Sequence, residues 1–134
     1  MQTILIIHIL LSGFIAGIII FQSAIAAPIV FSSLKPDQSR IFIRSVFPKI
    51  FRLLFLIGLF MMGLNVFFGA KYQIQYFVSV LTFILPLICA VIVPATNRAT
   101  DTNNQKMFKR LHFISVFFTM IVLIINLIWP FYGN

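Results

Sequence analysis

The side chains best suited to chemistry lie at the start of the last apolar segment. Arg110, His112 and Ser115 bring a cation, an imidazole and a hydroxyl within six residues of sequence. An imidazole changes its charge near neutral pH, and a guanidinium can hold an anionic group. We therefore predict a polar site around His112. We expect replacement of this residue to reduce activity without reducing expression.

Polar stripes run along the first and the last apolar segments at helical spacing. At 100° per residue, His8, Ser12 and Gln22 share one face of the first segment. The last segment carries a similar stripe, formed by His112, Ser115, Thr119 and Asn126. One interpretation is a polar seam between these two helices, along which a proton, an ion or a small polar molecule moves or binds. The alternative is plain interhelical hydrogen bonding, worth about 0.6 kcal/mol per bond.

Other catalytic chemistry has little support in the residues. The two acids, Asp37 and Asp101, each stand at the start of a helical pattern, where a carboxylate stabilises a helix N-terminus. No acid is left inside the membrane, which disfavours a paired-carboxylate hydrolase and a proton-coupled transporter built on Asp or Glu. An enzyme is not the favoured interpretation. The alternative to a non-enzymatic membrane component is a haem- or copper-handling redox protein that uses His8 or His112. No cofactor is predicted, because no metal-ligand spacing surrounds either histidine.

Four segments that carry these residues are long and apolar enough to span a membrane. The chain has 134 residues, of which 61% are hydrophobic and 9% charged, and its mean hydropathy is +1.10. A span needs about 20 apolar residues, and we predict spans at about 3–31, 38–68, 72–97 and 102–131. The fold class is an all-α integral membrane four-helix bundle in a single transmembrane domain. Pro28 and Pro86 each lack a helix donor, which predicts kinks at both positions.

The cations predict the direction of the spans. Nine of ten lie in the two connections that follow the first and third spans or in the adjoining first parts of the second and fourth spans, namely Lys35, Arg40, Arg44, Lys49, Arg52, Arg98, Lys106, Lys109 and Arg110. Such loops stay cytoplasmic, which predicts an N-out/C-out protein of the bacterial inner membrane. Anionic lipids at the cytoplasmic face are its expected partners. Binding to nucleic acid is not expected, because no soluble domain carries a basic face.

The outer ends of the spans combine aromatic rings with polar side chains. Rings typical of membrane interfaces belong to Tyr72, Tyr76, Trp129, Phe131 and Tyr132. His8, Asn65 and Asn126 have similar predicted depths and are expected to form a second, outer polar cluster.

A small-residue stripe lies opposite the polar stripe of the first span. Gly13 and Gly17 form a GxxxG motif, which permits close backbone approach. We interpret it as packing against a neighbouring helix, with homodimerisation as the alternative. A homo-oligomer or a larger membrane complex is the expected assembly.

Several motifs occur in an order that resembles a known family. They are HILLSG at 8–13, APIVF at 27–31, VFPK at 46–49 and FKRLHFIS at 108–115. The chain resembles transmembrane protein 205-like proteins, also described as domain of unknown function 4149. This resemblance implies a four-helix membrane protein and supplies no agreed activity. We therefore expect a non-enzymatic transporter-like or accessory membrane component with a polar seam between the first and last helices.

Overall fold

Four long helices make up the computed structural model, which describes residues 2–132. The first comprises α1 (Gln2–Ile20), a π-helical segment (Phe21–Ala26) and α2 (Ala27–Ser33). The others are α3 (Pro36–Phe68), α4 (Gln73–Asp101) and α5 (Gln105–Ile128), and a 3₁₀ turn at Trp129–Phe131 extends α5. Each is long and apolar enough to cross a membrane. The protein is therefore a multi-pass integral membrane protein.

Short turns connect the helices, and local side chains shape them. Pro36 opens α3, where its missing N–H leaves no donor unpaired. At the other end of α3, Gly69 has a φ of +78°, a conformation that glycine adopts without strain. The side chain of Gln75 then accepts a hydrogen bond from the Tyr72 N–H at 3.0 Å, which starts α4. These turns reverse the chain, so that successive spans run in opposite directions.

Asp101 does not occupy the position that the sequence pattern indicated. It is the last residue of α4, and the first turn of α5 is capped by Asn104, whose Oδ1 accepts from the Met107 N–H at 3.1 Å. Instead, the Arg44 guanidinium of α3 donates hydrogen bonds to both carboxylate oxygens of Asp101, at 2.5 and 3.3 Å. Helix α4 is 29 residues long, or about 44 Å, so Asp101 lies beyond the hydrocarbon. Hydrogen bonding to Arg44 lowers the pKa of the Asp101 carboxyl from its ordinary value.

The helices form a ring in which each packs against two neighbours. The contacting pairs are α1 with α3, α3 with α4, α4 with α5, and α5 with α1. One end of the bundle carries Gln2, Tyr132 and the turn at 69–72, and we call it the termini end. The opposite half carries the turns at 34–35 and 102–104 and nine of the ten cations, of which Arg52 lies midway along α3, and we call it the basic end.

Apolar side chains lie both inside and outside the bundle. The interior includes Ile15, Leu54, Met61, Val78 and Val122, each no more than 1% exposed. Large side chains on the outer faces include Phe14, Phe67, Phe113 and Val91. This distribution suits a bundle surrounded by hydrocarbon, because lipid accepts apolar surface that water would not.

The prolines inside the helices have different effects. Before Pro28 the first span widens into the π-helical segment, where the Ala27 N–H bonds to the Gln22 carbonyl five residues back. A widened turn gives the proline ring room beside the preceding carbonyls. By contrast, α4 continues as one helix through Pro86. The first span therefore departs from regular helix near Pro28, as expected, whereas Pro86 causes no break.

Gly58 rather than the GxxxG motif permits close packing between helices of this chain. A Cβ atom at Gly58 would lie 2.5 Å from the Phe83 nitrogen and 2.7 Å from the Thr82 carbonyl oxygen. Gly13 and Gly17 have nothing within 4 Å of a Cβ position. The GxxxG stripe faces outward because α1 turns its opposite face into the bundle. The expected packing of Gly13 and Gly17 against a neighbouring helix of this chain is therefore not observed.

We expect Gly58→Ala to lower the free energy of unfolding by about 1–3 kcal/mol, because the added methyl group must push α3 and α4 apart. Unfolding in mild detergent on titration with a denaturing detergent measures the change. Gly63→Ala in the same helix is the matched control, since nothing lies within 4 Å of a Cβ at that position. Equal stability of the two variants would contradict the close approach at Gly58.

Candidate functional site

Polar side chains from all four spans are buried together at the termini end. None is more than 2% exposed, and they are His8, Ser12, Asn65, Gln75, Ser79, Thr82 and Asn126. With the indole N–H of Trp129 they form what we call the polar core. Hydrocarbon cannot hydrogen-bond to such groups, so their burial inside the bundle follows from the membrane environment.

Helical spacing and antiparallel packing bring these side chains to one level. His8 and Ser12 lie one turn apart near the start of α1, and Gln75, Ser79 and Thr82 follow one face near the start of α4. Their neighbours α3 and α5 run in the opposite direction and therefore contribute residues from near their C-terminal ends. The outer cluster predicted from His8, Asn65 and Asn126 lies here.

Trp129 joins the last turn of the chain to the first helix. Its indole N–H donates a hydrogen bond to the Ser12 hydroxyl oxygen at 2.7 Å. The His8 ring packs edge-on against the Trp129 ring, with centroids 6.3 Å apart and planes at 90°. Trp129 is only 3% exposed. The sequence predicted that Trp129 anchors at the membrane interface. Its indole N–H instead points into the bundle, because the Ser12 hydroxyl oxygen supplies an acceptor there.

Two asparagine amides connect α4 to its neighbours. The Asn65 amide donates to the Ser79 hydroxyl oxygen at 3.0 Å, while the Ser79 hydroxyl donates to the Gln75 carbonyl oxygen at 2.6 Å. The Asn126 amide donates to the Thr82 hydroxyl oxygen and to the carbonyl oxygen of Val122, both at 2.9 Å. Asn126 of the last helix therefore bonds to α4 and not to the first helix.

Several atoms of the polar core have no partner in the described part of the chain. They are both ring nitrogens of His8, Oδ1 of Asn65, Oδ1 of Asn126 and Nε2 of Gln75. The orientation of the two asparagines is not arbitrary. The Asn65 NH₂ group faces a hydroxyl whose proton is already donated to the Gln75 carbonyl oxygen, and the Asn126 NH₂ group faces the Val122 carbonyl oxygen, which can only accept. A buried polar atom without a partner costs about 1–3 kcal/mol. These atoms mark the polar core as the candidate site.

The site residues that the sequence pattern predicted at the basic end do not form one site. His112 is exposed, and its ring stacks on Phe108 with centroids 5.6 Å apart. Arg110 is also exposed, beside Lys106 in a shallow surface depression. The structure thus separates both from the polar core, although their sequence pattern also predicted a site.

Ser115 and Thr119 are half-buried and face α4 below the polar core. The Thr119 hydroxyl donates to the Ser115 carbonyl oxygen at 2.7 Å, and the Cys89 thiol approaches the same oxygen at 3.8 Å. Gln22 lies in the π-helical segment, buried, with an amide nitrogen that has no partner among the described residues. The Thr119 hydroxyl therefore satisfies its own helix, and Gln22 lies about 21 Å beyond His8 along the first span, too far to extend the polar core.

An apolar layer interrupts the predicted seam between the first and last helices. Ile15 lies about 10 Å beyond His8 along α1, and Val122 lies about 6 Å beyond Asn126 along α5. Both are buried members of the apolar core. The two polar stripes therefore do not form one continuous path in this conformation.

Sequence reasoning missed the contribution of α4. Gln75, Ser79 and Thr82 repeat at i, i+4 and i+7, the same signal that identified the other two stripes. As for metals, no group of three or more His, Cys, Asp or Glu side chains comes together between residues 2 and 132. The arrangement offers hydrogen bonds rather than a set of metal ligands.

Comparison with known proteins gives one match. The model of a protein family described as "Domain of unknown function (DUF4149)" matches residues 10–105. This range contains the polar-core residues of α3 and α4, while His8 and Asn126 lie outside it. Neither a curated protein nor a solved structure matches the chain.

We expect Thr82→Val to destabilise the bundle through loss of the bond to Asn126. In a double-mutant cycle with Asn126→Ala, the coupling free energy should be about 0.6 kcal/mol and no more than about 1.7 kcal/mol. Unfolding in mild detergent measures each corner of the cycle. Thr96→Val is the matched control, because the Thr96 hydroxyl donates to Ile92 within its own helix at 3.0 Å. Zero coupling for Thr82 would contradict the α4–α5 hydrogen bond.

Proposed function

The chain belongs to the family described as domain of unknown function (DUF4149), and we propose that it is a non-enzymatic, transporter-like membrane component whose polar core binds a small polar solute. The observation that carries this proposal is the set of unpartnered polar atoms buried between His8, Asn65, Gln75 and Asn126. They come from all four spans, so a solute bound there would contact every helix of the bundle.

Energetics favours a functional interpretation over packing alone. Interhelical hydrogen bonds between neutral side chains in membranes are worth about 0.6 kcal/mol each. An unpartnered buried atom costs about 1–3 kcal/mol, so the bonds of Asn65 and Asn126 do not offset their unpartnered oxygens. Apolar residues of similar volume would fill the same space without that cost. A polar core that opposes stability in this way is expected where a ligand completes its hydrogen bonds.

The apolar layer sets the direction in which a solute reaches the site. Ile15 and Val122 separate the polar core from the basic end and are almost fully buried. The polar core lies at the ends of the helices on the other side, close to the turn at 69–72. A solute would therefore enter from the termini end, and passage further would require displacement of the apolar layer.

Orientation and location are part of the same proposal. Nine of ten cations at the basic end support a cytoplasmic position for that end, with anionic lipids as neighbours. The termini end would then face outward from a bacterial inner membrane. The finer resemblance to transmembrane protein 205-like proteins rests in part on the segment FKRLHFIS at 108–115, which lies outside the range matched by the family model.

An accessory role is the second candidate, and one observation favours it. Gly13 and Gly17 face away from the bundle, and apart from their own stretch of helix nothing in residues 2–132 lies within 4 Å of a Cβ position there. A helix from a second copy or from a larger complex would find a smooth surface there. Such a role makes no use of the unpartnered atoms in the polar core.

We expect proteoliposomes to take up a small polar solute faster than protein-free liposomes. Stopped-flow light scattering with urea, formamide, glycerol and water, together with dyes for H⁺ and Na⁺, covers the candidate solutes. Asn65→Leu should reduce the flux to the protein-free level, because it removes an unpartnered oxygen and a polar-core bond. Thr96→Val, which lies outside the polar core, should leave it unchanged.

A parallel His112→Ala sample distinguishes the two ends of the bundle. Flux that is lost in His112→Ala and kept in Asn65→Leu would move the site to the basic end, where the sequence pattern indicated it. Absence of flux for every solute would contradict the transport proposal and favour the accessory role.

A further inference from the structure

The unpartnered atoms of the polar core define the hydrogen bonds that a ligand must make. Oδ1 of Asn65 and Oδ1 of Asn126 can only accept, and Nε2 of Gln75 can only donate. The imidazole of His8, when neutral, donates from one nitrogen and accepts at the other. A ligand that completes these groups must therefore both donate and accept hydrogen bonds.

Direct contacts link the side chains that carry these atoms, but Asn126 bonds to Thr82, seven residues or about 10 Å along α4 from Gln75. The His8 ring packs against Trp129, which follows Asn126 by three residues on the same face of α5. On its other side α1 packs against α3, which carries Asn65 near its C-terminal end. Asn65 in turn contacts α4 through the Ser79 hydroxyl, which bonds to the Gln75 carbonyl. Neighbouring positions one turn apart on a helix are separated by about 5–6 Å.

The charge of the surroundings selects a neutral ligand. The acids Asp37 and Asp101 both lie at the basic end, as do nine of the ten cations. The tenth cation, Lys71, is exposed in the turn at 69–72, where its ammonium lies 5.0 Å from the centroid of the Tyr72 ring. An ion buried in the polar core would therefore have no opposite charge among the core residues, and an unpaired buried ion costs several kcal/mol. A neutral molecule with hydrogen bonds to the amides avoids that cost. The dipoles of the side chains alone are a weak substitute for a counter-ion.

The packing of the bundle limits the size of the ligand. His8, Ser12, Asn65, Gln75 and Thr82 are all fully buried, and each helix contacts its two neighbours. Water fits these limits, because buried waters typically make about three hydrogen bonds to groups that would otherwise lack a partner. Small amides such as formamide and urea share the same mix of donors and acceptors.

We propose that the polar core binds small neutral molecules, one or more, that together donate to the oxygens of Asn65 and Asn126 and accept from Gln75 and His8. Water is its first occupant, and a small amide is the competing source of the same chemistry. This inference rests on the proposed function in locating the site, but it concerns occupancy and holds whether or not the solute crosses the membrane.

Magic-angle-spinning NMR of the full chain in lipid bilayers tests the inference directly. The protein is deuterated and ¹⁵N-labelled, and its exchangeable sites are returned to protons. Transfer of magnetisation from water to an N–H group then reports water close to that group. We expect transfer to the side-chain amide of Gln75 and to the ring N–H of His8. The exposed side-chain amide of Gln105 is the positive control, and the buried, helix-bonded backbone N–H of Leu54 is the negative control.

Repeating the measurement with ¹³C-labelled urea or formamide distinguishes the two sources. Contacts from the labelled amide to Gln75, with loss of the water signal, would assign the site to a small amide. Persistence of the water signal would assign it to water, and either result supports a neutral hydrogen-bonding ligand. In Asn65→Leu the transfer to Gln75 should fall towards the level of Leu54.

Two results would overturn the inference. One is transfer to Gln75 and His8 no larger than that to Leu54, with neither water nor amide present. The other is a doubly protonated His8 ring at neutral pH, read from its ¹⁵N shifts, which would show that the site holds a charge. If no flux is measured but these contacts are present, the proposed transport function is contradicted and the binding site stands. If flux is measured without the contacts, the proposed binding site is contradicted and the transport function stands.

Discussion

Hydrocarbon offers no hydrogen bonds, so every polar group that this chain carries into the membrane must find its partner within the protein. For the backbone the answer is the helix, which satisfies its own N–H and C=O groups over four long segments. For the side chains the answer is the interior of the bundle. His8 and Ser12 of α1, the polar stripe of α4, Asn65 of α3 and Asn126 of α5 all turn inward, and this requirement fixes how each helix is rotated. The apolar residues follow, with Phe and Ile left on the faces that meet lipid.

The same constraint divides the bundle into two chemically different ends. At the basic end, charged groups extend beyond the hydrocarbon, and Arg44 reaches Asp101 and the Asn97 carbonyl oxygen to join α3 to α4. At the termini end, neutral groups are enclosed, and some of their atoms remain without a partner in residues 2–132. An apolar layer that includes Ile15 and Val122 separates the two. Chemistry that needs charge belongs to the first end, and recognition by hydrogen bonds belongs to the second.

Hydropathy was sufficient to predict four spanning helices, because about 20 consecutive apolar residues leave few alternatives. Rotation of each helix about its axis was harder to predict. Lipid and protein interior are equally apolar, so a stripe of leucines does not reveal which side faces the neighbour. This is why Gly13 and Gly17, which look suited to packing, face outward, while the less conspicuous Gly58 contacts α4. Polar stripes are the better guide, and the stripe of Gln75, Ser79 and Thr82 carried the same signal as those of α1 and α5. The position of Asp101 was not predictable from local sequence, because its partner Arg44 is 57 residues away.

The single tryptophan of the chain provides the most direct test of an inward-facing polar core. Its indole N–H gives one ¹⁵N resonance, and its rate of exchange with solvent deuterium can be followed by NMR in bilayers or mild detergent. The account predicts slow exchange, because Trp129 is 3% exposed and bonded to Ser12, and it predicts faster exchange in Ser12→Ala. Rapid exchange in the wild-type protein, as for a ring at the membrane surface, would contradict a polar core closed by Trp129.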